Sequence, residues 1–430
     1  MKEYSYWWDT VPPPPAGSEH AKTTTGRLGR RWDVAIVGAG YTGLAAARQL
    51  AKAGASVVVL ERENVGWGAS SRNGGQVLTG LRVDAATLVA RYGESRARAL
   101  FEIAVESLAQ LERLVAEERI DCDLHRAGHL VAAWKPAHFA AFRAEQALLA
   151  RVFDHHVELV PRAEQHAEIG SDVYHGLLVD EHSRALNPAR YVHGLAAAAG
   201  RAGATIASGT AVERFERRSS RWVVTTTGGE IDAADLLLAT NGYTNGASPA
   251  LQRRFVAIGS HVIATAPLPP ADAARLLPRR RVAFDSKHFL YYFRVTTDRR
   301  LLFGGRAEFS RPAAGTTRRA AGILRAGMRT VFPELAEVAI EYAWSGNVAF
   351  TRDEMPRAGK LDDTYYAGGY CGHGIALATH LGSVIARRIA GEPIEHPLFD
   401  DRFAPIPLYR GTPWFLPLVG AYYTMKDWLQ

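Results

Sequence analysis

The stretch WDVAIVGAGYTGLAAARQLAKAGASVVVLER, residues 32–62, decides the fold. VAIV is a short continuous apolar run, the pattern of a strand covered on both faces. TGLAAARQLAKAG has helical period, is rich in alanine and closes on Gly54. SVVVLER supplies a second, parallel strand, so the stretch reads as one βαβ unit. Gly38, Gly40 and Gly43 stand between strand and helix in the order G-x-G-x-x-G. The first glycine makes the tight turn, the second lets backbone approach a pyrophosphate, and the third lets helix and strand pack closely. Tyr41 and Thr42 open the helix, whose free N–H groups face phosphates. Glu61, followed by Arg62, ends the second strand, where a carboxylate accepts from ribose hydroxyls and repels a 2′-phosphate. Strand, helix and acid together point to dinucleotide binding.

The sequence next favours FAD over NAD. A simple NAD dehydrogenase would continue with further βα units. Here the second strand runs into ERENVGWGASSRNGGQ, residues 61–76. This glycine- and serine-rich loop suits the edge of an isoalloxazine. Ser70, Ser71, Arg72 and Asn73 offer side chains, and Gly74 and Gly75 offer bare backbone. LLLATNG, residues 236–242, resembles the strand-to-loop turn that passes near FAD in two-dinucleotide-fold flavoproteins. It brings Thr240, Asn241 and Gly242 into the cofactor set, with Val212 from the strand region before it.

Composition excludes several other classes. The chain has 430 residues, 47% hydrophobic and 22% charged, an ordinary globular balance with room for two or three domains. Two cysteines, Cys122 and Cys371, allow no disulfide framework, so a reducing, cytoplasmic location is expected. The net charge of +7 is scattered, without a basic stripe interleaved with aromatics, and nucleic acid is not expected as a partner. No apolar run is long enough to span a membrane. The N-terminus reads as an arm whose aromatics dock and whose polyproline spaces. The aromatic, proline-broken C-terminal tail either packs on the body or makes a weak membrane or partner contact. The histidines assemble no metal set, and Cys371 with His373 lacks the third orienting group of a nucleophile pair.

The remaining chain alternates textures. Residues 84–150 are mostly helical, broken by the strand GHLVAAW. NPARYVHGLAAAAGRAGA is a helix announced by Asn187 and Pro188. Residues 255–310 are β-rich, and a helix follows over about 314–330. GGYCGHGIALATHLG, residues 368–382, returns to strand, glycine loop and helix. The expectation is an α/β chain of two interwoven domains. An FAD-binding domain takes 30–90, 155–250 and 345–395. A substrate domain takes 91–154 and 251–344, with an arm at 1–29 and a tail at 396–430.

The motifs VAIVGAGYTGLAAARQLAKAGASVVVLE, GWGASSRNGGQ, YYFRVTTDRRLLFGGR, WSGNVAFTRDEMPRAG and YYAGGYCGHGIALATHLG, in this order, resemble the FAD-dependent amine oxidoreductases of the D-amino-acid oxidase superfamily. They span about residues 30–390, and the last three look most like the γ-glutamylputrescine oxidase branch. The resemblance implies a Rossmann-like FAD-binding domain of the glutathione-reductase-2 type with an antiparallel-sheet substrate domain. It implies hydride transfer from the amine-bearing carbon to the flavin, giving an imine that hydrolyses. It places Gly372, His373, Gly374 and Ile375 against the pyrimidine end, where a helix start stabilises the reduced, anionic ring.

Departures from the family pattern are informative. No cysteine precedes FTRDEMP, so FAD should be non-covalent. Leu302 stands where sarcosine-oxidase-like members carry an oxygen-activating lysine, which leaves either O2 or another electron acceptor open. Ala376 replaces a lysine that holds an α-carboxylate, so an amine whose acid group is remote or absent fits better. In FLYYFRVT, alternation puts Tyr292 and Arg294 on one face. Arg294 either meets a remote carboxylate or pairs with an acid outside the site. His373 is either a weak base or a loop histidine bonded to backbone. Trp344 and His261 are read either as cavity walls or as core. Competing readings are an amino-acid-type oxidase or dehydrogenase, an FAD-dependent RNA-modifying enzyme and an FAD-binding subunit of a larger dehydrogenase.

Overall fold

The computed structural model describes residues 1–11, 29–305 and 315–416, with 418 and 420. The polyproline spacer, the end of the RLLFGGRAEF strand and the last residues of the tail lie outside the described residues. Two large sheets organise the rest. In the first, the strands run in the order Arg357–Leu361, Thr364–Gly368, Gly229–Leu238, Arg31–Val37, Val57–Leu60 and Thr205–Ala207. Arg31–Val37 pairs in parallel with both Gly229–Leu238 and Val57–Leu60, as a βαβ crossover requires. Both faces of this sheet are covered, which is why VAIV and SVVVL read as unbroken apolar runs. Val34 and Ile36 pack on one side with Leu44 and Leu50 of the helix Tyr41–Lys52. Trp32 and Ala35 pack on the other with Leu236 and Trp222. Leu44 and Leu50 are fully buried, each contributing roughly 2 kcal/mol.

The second sheet has eight strands, from Ile340–Phe350 at one edge to Glu158–Val160 at the other. Between them lie Val256–Thr265, Leu301–Gly305, Tyr291–Val295, Val282–Asp285, His129–Ala132 and Leu177–Asp180. The antiparallel expectation holds for every pair of this sheet but one, and one domain bound is corrected. The sheet is not wholly antiparallel, because Val282–Asp285 and His129–Ala132 run parallel. They are far apart in sequence, and no hairpin dictates their direction. Nor does 155–250 lie wholly with the dinucleotide unit, since Glu158–Val160 and Leu177–Asp180 hydrogen-bond into this second sheet. Period-two alternation splits the second sheet's faces. Leu130, Val179, Ala283 and Phe293 pack beneath the helix Thr316–Val331. Their neighbours His129, Leu178, Phe284 and Tyr292 face a cavity.

Helix ends follow local chemistry. Asp84 caps Ala85–Glu118 by accepting from the Thr87 N–H at 2.8 Å, and non-helical Gly93 kinks it. Asn187 caps Pro188–Arg201, its side chain accepting from the N–H groups of Ala189 and Arg190. In the tail, Phe403 and Tyr409 are buried against the body, while Trp414 and Leu418 are exposed. Among the described residues no helix is long and apolar enough to cross a membrane.

Candidate active site

The glycine turn is built by close approach. Gly38 has φ +107°, open to glycine and strained for other residues. A Cβ on Gly43 would lie 2.0 Å from the Gly38 carbonyl oxygen, so helix and strand touch there. A Cβ on Gly40 would meet the Ser70 hydroxyl at 2.9 Å. Glu61 is held at its strand end, its carboxylate accepting from the Ala39 N–H at 2.8 Å and the Glu63 N–H at 3.0 Å.

A cavity of about 540 Å³ starts at this turn. Gly38, Gly40, Tyr41, Thr42, Glu61, Arg62, Ser70, Arg72, Asn73 and Gly74 line it. So do Val212, Thr240, Asn241, Gly372, His373, Gly374 and Ile375. Four residues expected at the cofactor do not reach it. Gly43 is spent on helix–strand contact. The Ser71 hydroxyl donates to the Gly66 carbonyl at 2.7 Å. Gly75 packs against the Leu186 carbonyl, and Gly242 against Asn347.

The helix Gly374–Ile389 starts at the cavity wall with His373 as its N-cap. His373 finds no backbone partner for its ring, for its buried Nδ1 has no hydrogen bond among the described residues. Burial, with the nearby Arg82 charge second, lowers its pKa to about 3, so the ring is neutral. Cys371 is inert as a nucleophile: burial pushes its thiol up to about 12, and the thiol donates to the Gly369 carbonyl. Tyr292 lines the cavity and its hydroxyl lies 3.1 Å from that of Ser260. Burial pushes that phenol up to about 12.

Arg294 does not line the cavity and so meets neither expectation set for it. Its guanidinium donates to the carbonyls of Gly75 at 2.8 Å and Leu186 at 2.9 Å, pinning the loop that ends at Gly75. Leu302 is packed among Tyr6, Trp7 and Trp344, and Ala376 inside the helical core. Trp344 is core too, its indole N–H donating to the Arg72 carbonyl at 2.8 Å. Neither it nor His261 lines the cavity.

Sequence reasoning missed the far end of the cavity. There Thr79, His129, Glu145, His155 and Asp180 join Phe101 and Phe284, and Arg82 lines the wall nearer His373. Asp180 accepts from the Thr79 hydroxyl at 2.5 Å, from His155 at 2.7 Å, and from both the backbone N–H and the ring of His182. Burial pushes this carboxyl up, but His155, His129 and Thr79 together hold it well below the usual carboxylate range. Burial keeps His129 neutral, stacked on Phe284. Burial and Asp84 raise the Glu145 carboxyl. The same-face spacing of His129 with Val131, and of Leu178 with Asp180, was the available signal. His155, Asp180 and His182 bring three ligating atoms within 4.8 Å of one another, but these atoms are committed to mutual hydrogen bonds.

Comparison with known proteins now bears on this geometry. The family described as FAD dependent oxidoreductase (DAO) matches residues 33–388. The chain therefore belongs to that family, and FAD is its cofactor. It is 33% identical over 403 residues to gamma-glutamylputrescine oxidoreductase of Escherichia coli (strain K12), covering 92% of each chain. It is 33% identical over 404 residues to the probable oxidoreductase OrdL of Rhizobium meliloti (strain 1021), covering 93% of this chain and 92% of that one. Glycine oxidase from Geobacillus kaustophilus shares the fold, with TM-score 0.74 and 21% identity over 88% of this chain and 99% of that structure. The cavity fits the cofactor. Glycines leave room a Cβ would fill at Gly40, a helix N-terminus opens on the turn, and Glu61 is fixed at the strand end.

Proposed function

We propose that the chain oxidises an extended amine of the γ-glutamylputrescine kind. One observation carries this reading: a single cavity continues from the dinucleotide turn, past the loops 66–76 and 370–375, to a polar far end. Its wall offers charge of both signs, from Arg82 near His373 and from Glu145 with Asp84. A γ-glutamyl head, with its own ammonium and carboxylate, matches both, and the name of the E. coli relative supports the same substrate class. Bound FAD would accept the hydride from the amine-bearing carbon, and O2 or another acceptor would then take the electrons.

The protein's part is to bind, orient and dry the amine. Gly38, Gly40, Tyr41, Thr42 and Glu61 would hold the dinucleotide. Ser70, Arg72, Asn73 and Gly74, with Gly372 to Ile375, would face the ring. Tyr292 and Phe284 wall the substrate space. FAD would be held non-covalently, because the one thiol in the cavity wall, among the described residues, is buried and protonated.

Near neutral pH His373 is uncharged and Tyr292 protonated, so neither changes charge there, and water takes the amine's proton in this reading. The expected kcat/KM therefore rises about tenfold per pH unit until it levels near the amine's own pKa, about 10 for a primary amine. His373→Asn should keep this profile. A plateau near neutral pH that His373→Asn abolishes would make His373 the base. The decisive test is anaerobic mixing of the yellow protein with γ-glutamylputrescine, putrescine, sarcosine and D-amino acids. Loss of flavin colour with the first, and release of the colour on denaturation, are expected. No bleaching with any amine would refute the proposal.

A further inference from the structure

Backbone carbonyls in the loop Gly66–Gly75 are held from behind. The Ser70 carbonyl accepts from the Tyr41 hydroxyl at 2.5 Å, and that of Arg72 from Trp344. The Gly75 carbonyl accepts from Arg294. Two donors come from the far N-terminus. The Ser5 hydroxyl donates to the Ser71 carbonyl at 2.7 Å, and the Trp7 indole N–H donates to the Asn73 carbonyl at 2.8 Å. The Trp8 indole N–H donates to the Ser71 hydroxyl at 2.7 Å. Its ring lies 5.0 Å from the Arg72 guanidinium, which also lies 4.3 Å from Trp67.

These contacts are built in rather than incidental. Ser5 and Trp7 are 1% and 2% exposed, 66 residues in sequence from the atoms they hold. The segment is itself anchored. Lys2 exchanges backbone hydrogen bonds with the strand Ile340–Phe350. Tyr6 donates to Asp298 at 2.6 Å, and the side chains of Asn187 and Arg190 grip Thr10. Trp7 does not line the cavity while Asn73 does, so the Asn73 carbonyl that Trp7 holds points away from it. The N–H groups of Asn73 and Gly74, by contrast, have no partner among the described residues.

We propose that Trp7 is a positioning residue for the cofactor: it turns the Asn73 carbonyl away from the cavity and so aims the Gly74 N–H of the same peptide into it. The loop then meets the flavin with N–H donors, which favour a ring that gains negative charge on reduction. The proposal rests on the reading that this loop faces the flavin ring. It is separable from the substrate, because the flavin's own reduction equilibrium reports it without any amine.

The test uses full-length protein carrying its FAD. Trp7→Phe keeps an aromatic ring and removes the N–H; Ser5→Ala is the comparison, for it frees the carbonyl of a peptide whose N–H is already bonded to the Ala69 carbonyl. Reduction of the bound flavin is measured against a reference dye, beside the FAD-to-protein ratio and the thermal midpoint. Trp7→Phe should lower the reduction equilibrium constant about three- to tenfold, the worth of one backbone hydrogen bond, while Ser5→Ala stays at wild type. An unchanged equilibrium in the Trp7→Phe holoenzyme, or an equal drop in both variants, would overturn the proposal and leave the arm a structural strap. Wild-type flavin that no amine bleaches would refute the substrate reading alone.

Discussion

Replacing Gly43 by alanine is expected to strip the protein of FAD. The new methyl would sit 2.0 Å from the Gly38 carbonyl oxygen, well inside van der Waals contact. Backbone lies on both sides of that contact, so no flexible side chain can yield. Relief requires the helix Tyr41–Lys52 to move off the strand Arg31–Val37, carrying its N-terminus away from the phosphate position. Overpacking of this kind costs about 1–3 kcal/mol or more. If only half of it falls on the bound state, FAD affinity drops roughly three- to tenfold, and a full share gives a hundredfold. Gly200→Ala is the control: nothing lies within 4 Å of its Cβ position, and it sits late in the helix Pro188–Arg201. There alanine should leave FAD unchanged and raise stability by about 0.5–1 kcal/mol. FAD content and thermal midpoint are read together. A Gly43→Ala protein with wild-type FAD content would show that helix and strand do not set the phosphate site.

The contrast between these glycines shows what the sequence discloses. Gly43 was legible because its demand is local: strand, turn and helix lie within a few residues, and each needs a particular residue type. The same holds for Glu61 and for the helix start at Gly374. Arg294 was not legible. Alternation gave its face correctly beside Tyr292, but whether that face holds cavity or loop depends on where Gly75 arrives, 219 residues away. Asp180 was missed for a related reason. LLVD reads as a buried strand with a polar last residue, and nothing nearby in sequence reveals the donors at Thr79 and His155. Membership of Glu158–Val160 and Leu177–Asp180 in the second sheet was likewise a long-range fact. Such short strands carry no mark of which sheet completes their hydrogen bonds. Local chemistry reached the wall around the glycine turn, and long-range packing decided the rest of the cavity.

Asp180→Asn is the sharpest probe of that second half. The residue is 3% exposed and its two carboxylate oxygens accept four hydrogen bonds. An amide keeps the shape but replaces one acceptor oxygen with a donor, so at least one of the Thr79, His155 or His182 donors faces an N–H. Breaking a buried charged set by removing one partner costs about 3–5 kcal/mol. A loss near the lower end is expected, since the cavity lets water reach part of the set. The sign with pH is fixed by the carboxyl being held below its ordinary range. Its stabilisation is complete above the unfolded carboxylate pKa of about 3.9 and is lost as pH falls through the lower folded value. The gap between wild type and Asp180→Asn in denaturant unfolding should therefore be constant from pH 5 to 7 and shrink below about pH 4. In turnover, His155 and His129 lose their fixed neighbour, so KM should rise for an amine long enough to reach them and stay unchanged for sarcosine. Equal stability of the two proteins at pH 7 would mean that water already serves those donors. Equal KM changes for long and short amines would mean that the far end of the cavity does not read the substrate.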